Sequence, residues 1–341
     1  MANEIKVFLN SGGHSFGRGV GVYAEHLAKA LSKLSEIRLT ETDPDIIHYP
    51  FFDPFYLTLP LKKEKPTVVT IHDLTPLVMS ARYPKGVRGT VNLFRQWLSL
   101  RSVSAVITDS ENSKKDIIRI FRFPAEKIFV IPLAVDDFYK KEPTAKKLAE
   151  VKKRYSLPDR FVLTVAGGPN PNKNLPSLAE VTDRLDIPLV IVGKGMLQKV
   201  VKPVHSELID LVRLQVYNNV LYPGFIPTED LCALYHLASL YVQPSFYEGF
   251  GLPLLEAMTA GCLIASSKTS SLPEIYPPRT IVFNPKKLNS MEKAIQKALN
   301  LKPQQKLKKI QEAKKRAADF SWTKTAQATL LVYQALCNHH V

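Results

Sequence analysis

Two carboxylates stand out in the stretch PSFYEGFGLPLLEAMTAG (244–261). Glu248 and Glu256 are eight residues apart, about two helical turns, so they lie near one face if 252–260 is helical. Three further residues would then occupy the helix N-terminus: Gly249, Phe250 and Gly251. Free amides there bind diphosphate or sugar oxygens, and carboxylates accept hydrogen bonds from sugar hydroxyls. The stretch therefore predicts a phosphate and sugar site, with helix capping by Glu248 as the structural alternative.

A glycine-rich loop, SGGHSFGRGVGVY (11–23), follows a predicted strand and leads into a predicted helix. Glycine lets a backbone approach a ligand closely, and a helix N-terminus carries partial positive charge. The loop therefore suits a phosphate or a sugar, and a loop without a ligand is the alternative. The dinucleotide pattern G-x-G-x-x-G fails at Val22, which argues against an NAD-dependent oxidoreductase.

His72 and Asp73 stand at the end of the predicted strand TVVTIHD (67–73). Open α/β sheets place ligands at the carboxyl ends of their strands, so we expect His72 to face a substrate. A purely structural histidine is the alternative. Asp73 would either orient His72 or cap the next turn.

The elements that must position these residues alternate along the chain, since short apolar strands are separated by helical patterns. Such alternation indicates parallel sheets with both faces covered by helices. The cycle occurs twice and predicts strands at 5–9, 45–50, 67–73, 105–110 and 129–135, then at 161–168, 189–195, 220–224, 240–245, 263–267 and 280–284. We therefore predict two doubly wound domains that divide near 140–158, and one amphipathic helix over 319–336.

The composition is that of a globular protein: 341 residues, 45% of them apolar and 23% charged. This excludes disorder as the main state. We see neither a signal peptide nor a run of the roughly 18–20 apolar residues that a membrane span needs. Three cysteines far apart provide no disulfide framework. We therefore expect a cytoplasmic protein.

The net charge of +15 is concentrated in two stretches. Residues 140–154 hold seven basic and two acidic groups, and residues 286–324 hold twelve and three. These are either solvated helix faces or sites for an anionic partner such as a phospholipid or a lipid-linked phosphate. No groove-reading motif accompanies them, so we expect no nucleic acid. Arginines alternate with apolar residues over 84–103, which predicts a helix packed on the first sheet or, alternatively, peripheral contact with the inner face of a membrane.

The motif P-S-x-Y-E-G-F-G-L-P-L-L-E-A-M (244–258) resembles the retaining nucleotide-sugar glycosyltransferases of family 4, in particular their mannosyltransferase-like members. The resemblance extends in order through HDLTPL (72–77), VITDSENSKKDI (106–117), VIPLAVD (130–136), NKNLPSL (172–178), LVIVGKG (189–195), NVLYPGFIPTEDLCALYHLASLYVQPS (219–245) and SLPE (271–274). It implies the GT-B fold, with two Rossmann-like doubly wound parallel-sheet domains, 1–157 and 158–322, and a cleft between them. The closing helix, 323–341, would cross back onto the first domain.

The resemblance also implies roles for individual residues. Glu256 would hold the donor ribose, and Lys173 would neutralise the leaving diphosphate. Glu248 would hold the donor hexose and diphosphate together with the amides of Phe250, Gly251 and Leu252. The implied donor-binding residues are Gly19, Lys173, Glu248, Gly249, Phe250, Gly251, Leu252 and Glu256. The implied acceptor-side residues are Gly17, His72 and Asp73, and the implied catalytic residues are Glu248, His72 and Lys173. No Asp-x-Asp stands where a metal-dependent transferase needs one, so we expect no metal and no cofactor besides the nucleotide-sugar substrate.

The chain departs from the family pattern at two positions. Many members have an arginine after the glycine of the strand and a second one before the lysine, where this chain has Gly168 and Asn172. One or two positive charges toward the diphosphate are therefore missing, which can cost several kcal/mol of transition-state stabilisation if no other residue substitutes.

The sequence thus predicts transfer of a hexose from a nucleotide sugar to an acceptor hydroxyl with retention, in the synthesis of a cell-surface or lipid-linked glycan. GDP-mannose is the favoured donor because HDLTPL resembles mannosyltransferases, and a UDP-sugar stays open. The alternative is a catalytically weak GT-B protein that binds or senses a sugar nucleotide, which the two missing arginines would suit.

Overall fold

The computed structural model describes residues 4–10, 20–194 and 206–338. It contains two six-stranded sheets whose neighbouring strands are all parallel. The chain divides into two compact units, Met1–Ala134 with Phe320–Val341 and Val135–Asp319. The predicted α/β class with two doubly wound parallel sheets is confirmed.

The first unit has the sheet order β2-β1-β3-β4-β5-β6, with elements numbered along the whole chain. Its strands are β1 (Ile5–Leu9), β2 (Ile37–Leu39), β3 (Ile46–Tyr49), β4 (Thr67–Thr70), β5 (Ala105–Thr108) and β6 (Ile128–Val130). Its helices are α1 (Val20–Leu31), α2 (Thr75–Val78), α3 (Gly86–Leu100), α4 (Glu111–Phe121) and α13 (Trp322–Asn338). All four residues are buried in β4 and in β5, as expected of a sheet covered on both faces. The prediction missed β2, whose sequence Ile-Arg-Leu has an arginine at its centre and forms no apolar run.

The second unit has the sheet order β12-β11-β10-β7-β8-β9. Its strands are β7 (Val162–Val165), β8 (Leu189–Val192), β9 (Val220–Gly224), β10 (Leu240–Gln243), β11 (Ile264–Ser267) and β12 (Ile281–Phe283). Its helices are α5 (Ala145–Arg154), α6 (Leu175–Arg184), α7 (Ser206–Leu214), α8 (Thr228–Leu237), α9 (Leu252–Ala260), α10 (Leu272–Ile275), α11 (Leu288–Leu299) and α12 (Pro303–Ala317).

The division between the units lies before the predicted one at 157/158, since residues 135–157 pack within the second unit. The buried carboxylate of Asp230 on α8 explains this placement. It accepts hydrogen bonds from Lys147 at 2.6 Å, from Arg154 at 2.6 Å and from the hydroxyl of Tyr155 at 2.7 Å. These three donors fasten α5 to α8.

Several side chains of the basic stretch 140–154 form ion pairs with aspartates elsewhere in the chain. Four of its seven basic side chains are paired: Lys140 with Asp137, Lys147 and Arg154 with Asp230, and Lys152 with Asp159. In the second basic stretch, 286–324, Arg316 donates to the backbone carbonyls of Glu274 and Ile275. These contacts favour structural roles for the four paired side chains of the first stretch and for Arg316 in the second.

The closing helix α13 packs on α1 within the first unit. It begins at Trp322 rather than at the predicted residue 319. Its Tyr333 hydroxyl lies 2.6 Å from Nδ1 of the fully buried His48, whose Nε2 lies 2.8 Å from Oγ1 of Thr70. Burial lowers the pKa of His48 to about 3. Among the helices of the described residues, none is both long enough and apolar enough to cross a membrane.

Candidate functional site

The order of the second sheet brings two predicted site segments together. β7 and β10 are neighbours at its centre, with β8 and β9 on one side and β11 and β12 on the other. The carboxyl ends of two such strands form the crevice in which open α/β sheets bind ligands. The segment after β7 leads through a 3₁₀ turn, Pro171–Lys173, and the segment after β10 is the loop 244–251.

Lys173 and Glu248 form an ion pair at this crevice. The Lys173 ammonium lies 2.9 Å from Oε1 and 2.8 Å from Oε2 of Glu248. Oε1 also accepts from Nε2 of Gln243 at 2.9 Å and from the hydroxyl of Ser245 at 2.5 Å. The Glu248 side chain is 8% exposed and that of Lys173 is 17% exposed. The carboxylate is therefore held in one orientation by a charged donor and two neutral ones.

Asn172 joins the two segments through both its backbone and its side chain. Its carbonyl accepts from the amide of Phe246 at 2.8 Å, and its side-chain amide donates to the carbonyl of Tyr247 at 2.9 Å. The residue is buried. Many members of the family that the sequence resembles have arginine at this position. In this chain the neutral side-chain amide of Asn172 holds the loop in place instead. At Gly168, an added Cβ would meet nothing nearer than 3.9 Å.

The loop that contains Gly249 and Phe250 ends at α9, whose N-cap is Gly251. Gly251 has φ +121, which disfavours any side chain, and a Cβ there would lie 2.7 Å from Leu272 Cδ2. The hydroxyl of Ser271 donates to the carbonyls of Glu248 at 2.9 Å and Phe250 at 2.8 Å. Pro253, the second residue of α9, has no N–H, and the amides of Leu254 and Leu255 donate to the carbonyl of Gly251 at 3.0 and 3.2 Å. The amide of Leu252 has no intrahelical acceptor, so it is the one that this helix end can offer to an anion.

Glu256 lies within α9, whereas Glu248 lies in the loop before it. The predicted helix over 252–260 is confirmed as α9, but a spacing in helical turns does not relate the two carboxylates, because Glu248 precedes the helix. The capping alternative for Glu248 is also wrong, since no side chain caps α9. Glu256 Oε2 accepts from the hydroxyl of the buried Tyr235 at 2.8 Å.

The first unit places His72 after β4 and Asp109 after the neighbouring β5. Nδ1 of His72 lies 2.8 Å from Oδ2 of Asp109, and Nε2 lies 3.2 Å from the carbonyl oxygen of Pro50. A carboxylate and a carbonyl only accept, so both ring nitrogens must carry hydrogen to satisfy both contacts. Tyr23 packs edge-on against the imidazole, with ring centroids 4.7 Å apart.

The pKa of His72 reflects opposing effects. Burial alone lowers it, but the charges and hydrogen bonds of Asp109, the charge of Asp73 and the Pro50 carbonyl together raise it above the ordinary value. Burial also raises the pKa of Asp109, although His72 opposes that change. The geometry and the shift at His72 both favour an imidazolium ion.

Of the two roles predicted for Asp73, the structure shows the cap. Its Oδ1 accepts from the amide of Thr75 at 2.8 Å, at the start of α2. Asp109, which the sequence analysis did not single out, orients the histidine. The signal was present, because Asp109 stands at the end of the predicted strand 105–110, as His72 does at the end of the predicted strand 67–73. Within the described part of the chain, Asp109 Oδ1 and Thr75 Oγ1 are buried without a hydrogen-bond partner.

Two predicted residues, Gly17 and Gly19, lie outside the described residues. Over the ranges that the structure covers, no cluster of three or more histidine, cysteine or acidic side chains could hold a metal ion.

Comparison with family models identifies both halves of the chain. The model "Glycosyl transferases group 1" matches residues 147–317, and the model "Glycosyltransferase Family 4" matches residues 35–137.

Two curated relatives from Escherichia coli are mannosyltransferases. The chain is 28% identical over 319 residues to serotype-specific mannosyltransferase WbdA, covering 89% of this chain and 38% of that protein. It is 30% identical over 292 residues to O-antigen chain mannosyltransferase B, covering 83% of this chain and 73% of the relative. The chain thus spans less than half of WbdA.

Among solved structures, sucrose-phosphate synthase from Thermosynechococcus elongatus superposes with a TM-score of 0.75 at 19% identity. The match covers 99% of this chain and 100% of that one. This similarity confirms the predicted GT-B fold.

Proposed function

Since the chain belongs to the group 1, family 4 glycosyltransferases, we propose that it transfers mannose from GDP-mannose to a hydroxyl group of a glycan and retains the anomeric configuration. Two mannosyltransferases among its relatives support the sugar, as does the HDLTPL segment. A UDP-sugar is the other donor to test.

The observation that carries the proposal is the Lys173–Glu248 pair beside the N-terminus of α9. A nucleoside diphosphate sugar presents a dianionic diphosphate next to a ring of hydroxyls. Lys173 and the backbone amides of Gly251 and Leu252 would stabilise the diphosphate, and the fixed Glu248 carboxylate would accept from the hexose hydroxyls. Glu256, already held by Tyr235, would accept from the ribose diol.

The proposed reaction is a front-face substitution. The acceptor oxygen bonds to the anomeric carbon while the bond from that carbon to the diphosphate oxygen breaks. The acceptor proton passes to the departing diphosphate, so no protein base is required. Charge grows on the diphosphate as this bond breaks, and fixed donors such as Lys173 then contribute most.

His72 would take part as a cation rather than as a base. Both of its nitrogens face oxygen acceptors in the first unit, which leaves no lone pair to take a proton. Asp109 would be its positioning residue.

The acceptor is proposed to be part of a cell-surface or lipid-linked glycan, assembled on the cytoplasmic side with peripheral contact to the membrane. The name of the O-antigen relative supports a cell-surface glycan.

A thermal-shift panel tests the donor site with GDP-mannose, UDP-glucose, UDP-GlcNAc, GDP, UDP and NAD. A ligand at a hundredfold excess over its dissociation constant stabilises the folded state by about 2.7 kcal/mol. We expect a shift with GDP-mannose and GDP that Glu256→Ala loses and Glu180→Ala, on α6, retains. A shift with uridine nucleotides alone would reassign the donor, and no shift with any nucleotide would contradict the site.

Turnover tests the chemistry and separates the proposal from its alternative, a weak enzyme that senses a sugar nucleotide. Gly168 and the structural use of Asn172 favour that alternative, because neither supplies charge to a diphosphate. We expect slow hydrolysis of GDP-mannose without acceptor, abolished by Lys173→Ala and by Glu248→Ala. Binding without hydrolysis or transfer would identify a sensor.

A further inference from the structure

Two buried tyrosines of the second unit lie behind the carboxylates of the candidate site. Tyr235 is on α8 and Tyr241 is on β10, and both are fully buried. Their ring centroids are 5.6 Å apart, and the ring planes meet at 66°. Each hydroxyl is connected to a different carboxylate, one of them directly and the other through a side-chain amide.

Tyr235 donates directly to Glu256. Its hydroxyl lies 2.8 Å from Oε2 of Glu256, and the carbonyl of Pro253 is a longer contact at 3.3 Å. A carboxylate and a carbonyl only accept hydrogen bonds, so the hydroxyl must be the donor. Burial, the charge of Glu256 and the neighbouring Tyr241 raise the pKa of Tyr235 well above its ordinary value. The phenol therefore keeps its hydrogen and constrains one oxygen of Glu256.

Tyr241 is connected to Glu248 through Gln243. The Tyr241 hydroxyl donates to Oε1 of Gln243. Nε2 of the same amide donates to Oε1 of Glu248 at 2.9 Å and to the hydroxyl oxygen of Ser245 at 2.8 Å. Because a carboxylate only accepts, the amide must present its nitrogen to Glu248 and its oxygen to Tyr241. A phenol that donates to the amide oxygen stabilises this orientation of Gln243 over the flipped one.

The donors are distributed unequally over the Glu248 carboxylate. Oε1 accepts from Lys173, Gln243 and Ser245. Among the described residues, Oε2 accepts from Lys173 alone. An ionised carboxylate has about four lone-pair sites, shared equally by its two oxygens. Oε1 is therefore saturated, and Oε2 retains a site for a further donor such as a sugar hydroxyl.

We propose that Tyr235 and Tyr241 are positioning residues of the donor site, and that Glu248 presents Oε2 to the transferred sugar. The inference rests on the proposed function, which assigns Glu256 to the ribose and Glu248 to the hexose. Tyr235 would hold Glu256 toward the ribose diol, and Tyr241 would hold Glu248 toward the hexose through Gln243. Neither tyrosine would touch the substrate. Because each hydroxyl serves a different part of the ligand, removing one should weaken the binding of that part alone.

Calorimetric titration of the full chain with GDP-mannose, GDP and 2′,3′-dideoxy-GDP tests this division. GDP compared with dideoxy-GDP isolates the ribose diol, and GDP-mannose compared with GDP isolates the hexose. We expect Tyr235→Phe to weaken GDP and GDP-mannose about tenfold and to leave dideoxy-GDP unchanged, because a hydrogen bond to a charged group is lost. We expect Tyr241→Phe to weaken GDP-mannose about fivefold and to leave GDP unchanged. If the thermal-shift panel assigns a uridine donor, the corresponding uridine ligands are titrated.

A double-variant cycle tests the connection through Gln243. Gln243→Leu removes the amide and should weaken GDP-mannose about tenfold. In that background Tyr241→Phe should have no further effect, since the phenol acts on Glu248 through this amide. Tyr222→Phe is the matched control, because its hydroxyl, on β9, donates to the carbonyl of Leu214 at 3.3 Å and not toward a carboxylate. Its affinities should equal those of wild type.

The possible failures are distinguishable. Equal weakening of all three ligands by either tyrosine variant would indicate a general disturbance of the unit and would overturn the proposal, as would unchanged affinities in both variants. These two results leave the donor site standing, whereas a wild-type protein that binds no nucleotide would refute the donor site and the tyrosine roles together. In a crystal structure of the GDP-mannose complex, a hexose hydroxyl should contact the Glu248 oxygen that faces away from Gln243. A contact to the other oxygen alone would overturn the assignment of Oε2.

Discussion

Removing the lysine from the Lys173–Glu248 pair leaves a carboxylate that is 8% exposed with only neutral donors. Breaking a buried ion pair from one side costs about 3–5 kcal/mol, because the remaining charge loses its compensation. Gln243 and Ser245 continue to donate, so we take the lower end. We expect Lys173→Met to reduce the free energy of unfolding by about 3 kcal/mol. Glu248→Gln should cost less, about 2 kcal/mol, because the ammonium can turn toward water.

The double variant isolates the interaction. With both charges gone, no buried charge is left unpaired, so we expect a loss of about 3 kcal/mol instead of about 5, a coupling of about 2 kcal/mol. Lys152→Met removes an exposed ion pair and is the matched control, for which we expect no measurable change.

Urea unfolding followed by circular dichroism measures these free energies. Both tryptophans, Trp97 and Trp322, lie in the first unit, so their fluorescence reports separately on the part of the chain that lacks the ion pair. Additive losses in the double variant, or a Lys173→Met protein as stable as wild type, would refute the reasoning. The pair would then be a surface contact screened by water.

Three further predictions concern single positions. The pKa of His48 is about 3 in the folded protein and near 6.5 in the unfolded chain. The stability contributed by keeping this imidazole neutral is therefore fully present above pH 6.5 and is lost as the pH falls toward 3. Urea titrations should show a loss of about 3 kcal/mol by pH 4.5 that His48→Gln reduces. Asp109→Asn should lower the pKa of His72, seen by NMR, and move the alkaline limb of kcat/KM to lower pH; an unchanged limb would exclude the dyad. Gly251→Ala should lower stability by about 1–3 kcal/mol in thermal unfolding, whereas Gly168→Ala, at an open position, should not.

Periodicity and motif order were sufficient for the architecture, because buried parallel strands are nearly continuous apolar runs. They were insufficient for the division between the units. Residues 135–157 precede a new strand, and their sequence is typical of a linker. However, three of their side chains donate hydrogen bonds to Asp230, which lies 75 to 83 positions later. A contact at that separation leaves no local pattern in the sequence.

The sequence also did not predict which face of α3 is buried. An amphipathic helix has two faces, and the usual expectation is that the apolar one packs inward. The inward face of α3 carries Leu93, Trp97 and Leu100, which pack on the core of the unit. Gln96 on the same side donates to loop carbonyls, and apolar side chains on the other side remain exposed. Periodicity reports that the two faces differ, and tertiary contacts decide which of them is buried.

The pairing of Lys173 with Glu248 was likewise not predictable from local sequence patterns. The family resemblance implied that Lys173 and Glu248 share one donor site, but no local pattern pairs them, because they lie 75 positions apart with four elements between them that have no role in the site. The two meet because β7 and β10 are adjacent at the centre of the sheet, where chain order reverses, and each residue follows one of these strands. The helix predicted over 252–260 is α9, but Glu248 precedes it, so helical periodicity does not relate Glu248 to Glu256. Strand order, which places the loops, therefore determines which charges pair, and residue spacing along one segment does not.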